Sequence, residues 1–150
     1  TRGAGRGGPG HGAIPPPSLV MRHAAAIDTL MAGDGLAAIA DRLRSLQSDD
    51  PWLQAAGTSF AKGSPTSAAL SFALWQRAKG LPLADVLRLE YRAALGCCAH
   101  ADFPEGIRAL LIDKDRQPRW DPPTLADVWP AFIDDHLRLR GEMPPRLAAL

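Results

Sequence analysis

Residues 83–99, LADVLRLEYRAALGCCA, decide the fold. Leu83, Val86, Leu87, Tyr91, Ala94, Leu95 and Cys98 recur at intervals of three and four, the period of one face of a helix. The stretch predicts an amphipathic helix over Leu83 to Ala99 with a wide apolar side. Upstream, Ser64-Pro65 reads as a second helix start, because proline at the first helical position gives up only an N–H that had no partner. That helix runs to Lys79, carries Leu70, Phe72, Leu74 and Trp75, and stops at Gly80. The same device at Asp50-Pro51 opens a helix that turns Trp52, Ala55, Ala56 and Phe60 inward.

The pattern continues in both directions. Asp34 reads as the cap of a helix bearing Leu36, Ile39, Leu43 and Leu46, and Ser18 as the cap of one reaching about Ala32, where Gly33 stops it. Beyond Ala99, a short helix opens at Asp102 or Phe103 and runs from Pro104 to about Ile112. Residues 116–123 are a loop, and Thr124 to Leu139 is helical with Pro130 kinking or splitting it. Strand-like alternation is absent from the sequence. The expected class is all-α, about five to seven short helices with short connections.

Three segments follow from composition. Residues 1–17 are rich in Gly and Pro and hold one large aliphatic, Ile14, too little to offset the entropy of ordering, so they read as a disordered tail. Residues 18–140 form the helical region, and 141–150 a second tail. Thr1 in place of Met points to sequence preceding it.

The chain has 150 residues, a formal charge of +1, 46% hydrophobic and 22% charged residues, a globular balance. Its overall field implies neither nucleic acid nor an anionic membrane as partner. No apolar run approaches the roughly 20 residues that cross a bilayer. The expected compartment is the cytoplasm, or the mitochondrial matrix in a eukaryote. Adjacent Cys97 and Cys98 read as reduced, small buried thiols.

Local motifs carry little chemistry. Gly3, Gly5 and Gly8 satisfy the dinucleotide fingerprint but lack the strand and helix it needs. Arg2 and Arg6 are too few for an arginine-glycine RNA contact. Cys97, Cys98, His100 and Asp102 resemble a metal set, yet adjacent helical cysteines point about 100° apart and do not converge on one ion. His23 and His136 read as lone surface histidines. Among the carboxylates Glu90, Asp102, Glu105, Asp113 and Asp115, only Glu90 borders an apolar face, and an ion pair with a neighbouring helix, for instance with Arg108, accounts for it. Lys114, Arg116 and Arg119 beside Trp120 form a small basic and aromatic cluster.

Three segments together resemble a known family: residues 62–67 (KGSPTS), 89–92 (LEYR) and 102–115 (DFPEGIRALLIDKD) with Pro118 and Trp120. In order and spacing they are similar to the C-terminal region of 3-hydroxyisobutyryl-CoA hydrolases, of the enoyl-CoA hydratase/isomerase (crotonase) superfamily, over about residues 27–128. The resemblance implies a parent enzyme that hydrolyses a branched hydroxyacyl-CoA thioester in valine breakdown. It implies a catalytic core on the N-terminal side whose backbone N–H groups hold the thioester oxyanion. No motif of that core occurs here, so no catalytic residue carries over. Coenzyme A enters only as part of the substrate, with no covalent cofactor and no metal. What carries over is Lys114, at a position where the superfamily can bring a lysine to the nucleotide end of coenzyme A. The leading expectation is therefore an enzyme fragment whose partners are the missing crotonase core and an acyl-CoA. The alternatives are a helical module docking on a crotonase-type subunit, and a small enzyme using Cys98 or Glu90.

Overall fold

Capping chemistry sets most helix starts in this computed structural model, which describes residues 18–33 and 35–150. The chain forms two units, Thr1–Gly33 and Asp34–Leu150. In the first, the Ser18 hydroxyl accepts from the Met21 N–H at 3.2 Å and starts α1 (Leu19–Arg22). His23 leaves helical geometry, with φ −103° and ψ 13°, and α2 (Ala24–Met31) follows it. The one helix expected from Ser18 is thus broken in two. Gly33 ends the unit at φ 92°, a left-handed value natural to glycine. The readings made on residues 1–17 and Asp34 lie outside the described residues.

The second unit begins with a helical hairpin. In α3 (Leu36–Arg44) Ile39 and Ala40 are buried, and Gly35 holds the cap position. Asp50 caps α4 (Pro51–Lys62) by accepting from the Trp52 and Leu53 N–H groups at 2.8 and 3.2 Å. The close approach falls at Gly57, where a Cβ would stand 3.0 Å from the Leu43 carbonyl oxygen. Ala55 and Ala56, expected inside, are exposed, because the buried line of α4 passes through Gly57 instead.

Ser64 caps α5 (Pro65–Ala78) through the Ser67 N–H at 2.9 Å. Then come α6 (Leu83–Ala99), α7 (Asp102–Ile107), a π-helical turn at Arg108–Ile112, a 3-10 turn at Leu125–Asp127, α8 (Pro130–His136) and α9 (Pro145–Ala148). Pro130 splits the last expected helix by starting α8 at its own position. Short pieces therefore outnumber the five to seven expected, while the described residues contain helices and no strand.

The core is the junction of α5, α6 and α8, where Ala69, Leu70, Ala93, Ile133 and Leu137 are buried together. Burying a side chain such as Leu70 contributes about 1.5–3 kcal/mol. Small residues let the helices meet closely: α6 packs through Leu89, Ala93, Gly96 and Cys97. This corrects the expected inward face, since Leu83, Leu87, Ala94 and Cys98 are exposed. The apolar period was right and the side it presents to this core was not. Arg77 pairs with Asp134 to tie α5 to α8. Arg88 on α6 donates to the Leu147 and Ala148 carbonyls, each at 3.2 Å, holding α9 within the segment 141–150.

Candidate functional site

The first turn of α5, the end of α6 and α7 with its π turn surround a cavity of about 370 Å³. That volume falls in the roughly 300–1,000 Å³ range of small-ligand pockets. Its α7 side is apolar, through Phe103, Ile107, Leu110 and Leu111, all of them substantially exposed. Thr66 enters from α5, only 3% exposed, and its hydroxyl has no hydrogen-bond partner. Trp120 closes one edge, its indole N–H donating to the Lys62 carbonyl at 3.0 Å.

Asp102 ties the walls together. The Ser64 hydroxyl donates to one carboxylate oxygen, and the Asp121 N–H donates to the other at 2.8 Å. A buried carboxylate needs such partners, and these two join the α5 cap, α7 and the loop before α8. Asp102 is thus a bridge rather than a member of a metal set. Among the described residues no group of three or more His, Cys, Asp or Glu side chains is placed to hold an ion.

Two histidines meet in the lining of the cavity. The rings of His100 and His136 stack with centroids 3.8 Å apart at 14°, and Phe132 stands edge-on to both. His100 Nε2 lies 3.0 Å from an Asp135 oxygen, which also receives Arg140. His136 Nδ1 meets the Phe132 carbonyl at 2.8 Å. The surface placement expected of His136 is therefore corrected: it is 2% exposed. Burial is the main force that depresses its pKa, aided by the charges of His100 and Arg140. Nothing local announced this pair, whose members are far apart in sequence. For Asp135, burial acts upward, but His100, Arg140 and Arg138 outweigh it and hold the carboxyl low.

Arg108 organises the far end of α7. Its guanidinium donates to both Glu105 oxygens at 2.8 Å, to Asp113 at 2.6 Å, to Asp115 at 2.7 Å and to the Gln117 carbonyl at 3.1 Å. The Arg108 bonds, with a further one from the Arg119 N–H, bring Glu105 down to about 2. Arg108, followed by the Gln117 N–H, lowers Asp115. The same bonds raise Arg108 itself. Its partners are thus three nearby carboxylates, and Glu90, with which it was expected to pair, is exposed on α6 beside a groove with Trp75 and Val86.

The remaining candidates scatter. Cys97 lines the cavity, its thiol pushed up by burial and by Cys98, the reverse of an activated nucleophile. Cys98, expected to be buried, is exposed. His23 Nδ1 contacts the Leu19 carbonyl at 2.7 Å. Lys114, Arg116 and Arg119 are exposed, while Trp120 is partly buried against the Lys62 carbonyl and Gly106.

Residues 11–137 match the enoyl-CoA hydratase/isomerase family. The chain belongs to that family. It is 37% identical over 118 residues to the mitochondrial 3-hydroxyisobutyryl-CoA hydrolase of Danio rerio, covering 79% of this chain and 30% of that protein. With the Gallus gallus protein of the same name it shares 34% over 123 residues, covering 82% and 31%. The chain thus spans about a third of the length of these curated relatives. Among solved structures, an enoyl-CoA hydratase from Rhodobacter sphaeroides 2.4.1 superposes with a TM-score of 0.69 at 34% identity, over 88% of this chain and 38% of that one. A carnitinyl-CoA dehydratase from Mycobacterium thermoresistibile gives 0.71 at 32%, over 85% and 36%. No helix among the described residues is long and apolar enough to cross a membrane.

Proposed function

We propose that this chain is the helical portion of a 3-hydroxyisobutyryl-CoA hydrolase, supplying a wall of the acyl-CoA site rather than its catalytic groups. The observation that carries this reading is the commitment of the carboxylates of α7, the turn after it and α8, of which Asp102 lines the cavity. Asp102 is held by Ser64 and Asp121, Glu105, Asp113 and Asp115 by Arg108, and Asp135 by His100 and Arg140. A general base at neutral pH needs a carboxyl raised toward 7, whereas Glu105, Asp115 and Asp135 are all lowered. The exposed Phe103, Leu110, Leu111 and Ile112 give the surface on which a catalytic core of crotonase type would rest.

In the assembled enzyme the substrate is an acyl-CoA thioester, the step belongs to valine breakdown, and the compartment is the cytoplasm or the mitochondrial matrix. Lys114 meets a phosphate at the nucleotide end of coenzyme A, where an ammonium is a suitable partner. The test is release of free thiol from 3-hydroxyisobutyryl-CoA by the purified chain. No catalysed release is expected. A rate that survives repurification and vanishes in Cys98→Ala or Glu90→Gln would overturn the reading.

A further inference from the structure

Every wall of the cavity beside α7 belongs to the unit Asp34–Leu150, so what it suits can be read from this chain alone. Its lining holds no lysine and no arginine. The one carboxylate in it, Asp102, already accepts from the Ser64 hydroxyl on one oxygen and from the Asp121 N–H on the other. An anion would therefore meet a carboxylate and no cation, and an ammonium would find that carboxylate engaged. Most of the remaining wall is apolar, through Leu70, Phe103, Ile107 and Leu110. The chemistry left is that of a neutral ligand with an apolar body.

Two buried side chains of the lining keep a hydrogen-bonding atom unused. His136 Nδ1 meets the Phe132 carbonyl, which can only accept, so Nδ1 carries the ring proton and Nε2 keeps its lone pair. Burial favours this neutral ring. Thr66 is 3% exposed and its hydroxyl has no partner, a state that buried polar groups rarely keep. Since Thr66 lines the cavity, a partner for it has to come from what enters there. We propose that the cavity binds a small neutral alcohol or phenol, whose hydroxyl donates to His136 Nε2 and whose recognition also engages the Thr66 hydroxyl. A hydroxyl suits these two groups because it gives one hydrogen bond and accepts others, without a charge to desolvate. The proposal goes beyond the reading of the chain as a wall of an acyl-CoA site and does not depend on it.

The test is titration of the 150-residue chain with para-ethylphenol, followed by amide chemical shifts. Two controls keep the apolar body: para-ethylanisole, in which a methyl replaces the hydroxyl proton, and para-ethylbenzoate, an anion. The phenol should shift the amides of Thr66, Cys97 and Leu110 most, and should bind about fivefold or more tighter than the ether, the worth of one hydrogen bond. The benzoate should bind more weakly than the phenol. His136→Phe keeps a ring but has no lone pair, and should weaken the phenol about fivefold while leaving the ether unchanged. Thr66→Val keeps the shape and loses only the hydroxyl. It should weaken the phenol too, yet leave the urea midpoint at or above wild type, because the hydroxyl it removes had no partner. This second variant carries the test alone if His136→Phe, beside the close contact at Gly96, does not fold. Equal affinity of wild type for phenol and ether, tightest binding of the benzoate, or an unchanged phenol affinity in Thr66→Val would each overturn the proposal. None of these outcomes touches the acyl-CoA reading, which is tested by thiol release.

Discussion

A Cβ at Gly96 of α6 would stand 2.1 Å from the His136 carbonyl oxygen and 2.7 Å from the His136 Cα. The end of α8 therefore lies directly on the bare backbone of α6. Backbone cannot step aside as the tip of a flexible side chain can, so Gly96→Ala must push the two helices apart. The expected loss is about 3 kcal/mol or more, at the upper end for overpacked sites. Urea unfolding checks it, and a midpoint equal to wild type would show that the helices part without cost.

Ser64 and Asp102 form one unit, since the hydroxyl that caps α5 also donates to the buried carboxylate. Ser64→Ala removes both bonds and is expected to destabilise by about 1–2 kcal/mol. Asp102→Ala also frees the Asp121 N–H and is expected to cost about 2–3 kcal/mol. The double variant should lose less than the sum, because each single change already breaks the shared bond. Strict additivity in a denaturation cycle would show that the two residues act separately.

Two titrations of opposite chemistry should shape the stability profile. The folded His136 pKa lies below the ordinary 6.5. Above that value the ring is neutral folded and unfolded, and it has no effect. As pH falls through 6.5 the unfolded chain takes up the proton first, so stability declines until the folded pKa is reached. Glu105 and its Arg108 bonds add stability that is complete above 4.5 and is lost as pH falls toward about 2. Denaturation midpoints across pH should thus fall in two steps, with His136→Gln removing the upper one. An upper step unchanged in His136→Gln would assign it to another group.

Helix existence was legible in the sequence where local chemistry sets it. Asp50-Pro51 and Ser64-Pro65 cap as read, and the Leu83 to Ala99 bounds agree with α6. The direction of a face was not legible, because apolar periodicity says that a side exists and not which neighbour it meets. On α6 the packed line runs through Ala93 and Gly96, whose small size carries no hydropathy signal but permits close approach. The Asp102 bridge, the His100–His136 stack and the Arg108 cluster depend on partners in separate elements or on an irregular turn. Arg108 could have been suspected from the carboxylates at 105, 113 and 115, although helix spacing would have paired it with Glu105 alone.

The π turn at Arg108–Ile112 has a bearing on sequence length. A π turn holds an extra residue relative to an α-turn, and each helical residue advances the chain by about 100°. The turn is therefore the one stretch of this segment that can lose a residue without turning its neighbours. The Asp113 N–H bonds to the Arg108 carbonyl five residues back, so deleting Leu111 would turn that bond into an ordinary α-helical one and leave Asp113 and Asp115 beside Arg108. Deleting a residue from the regular turns of α6 would instead rotate all that follows by about 100°.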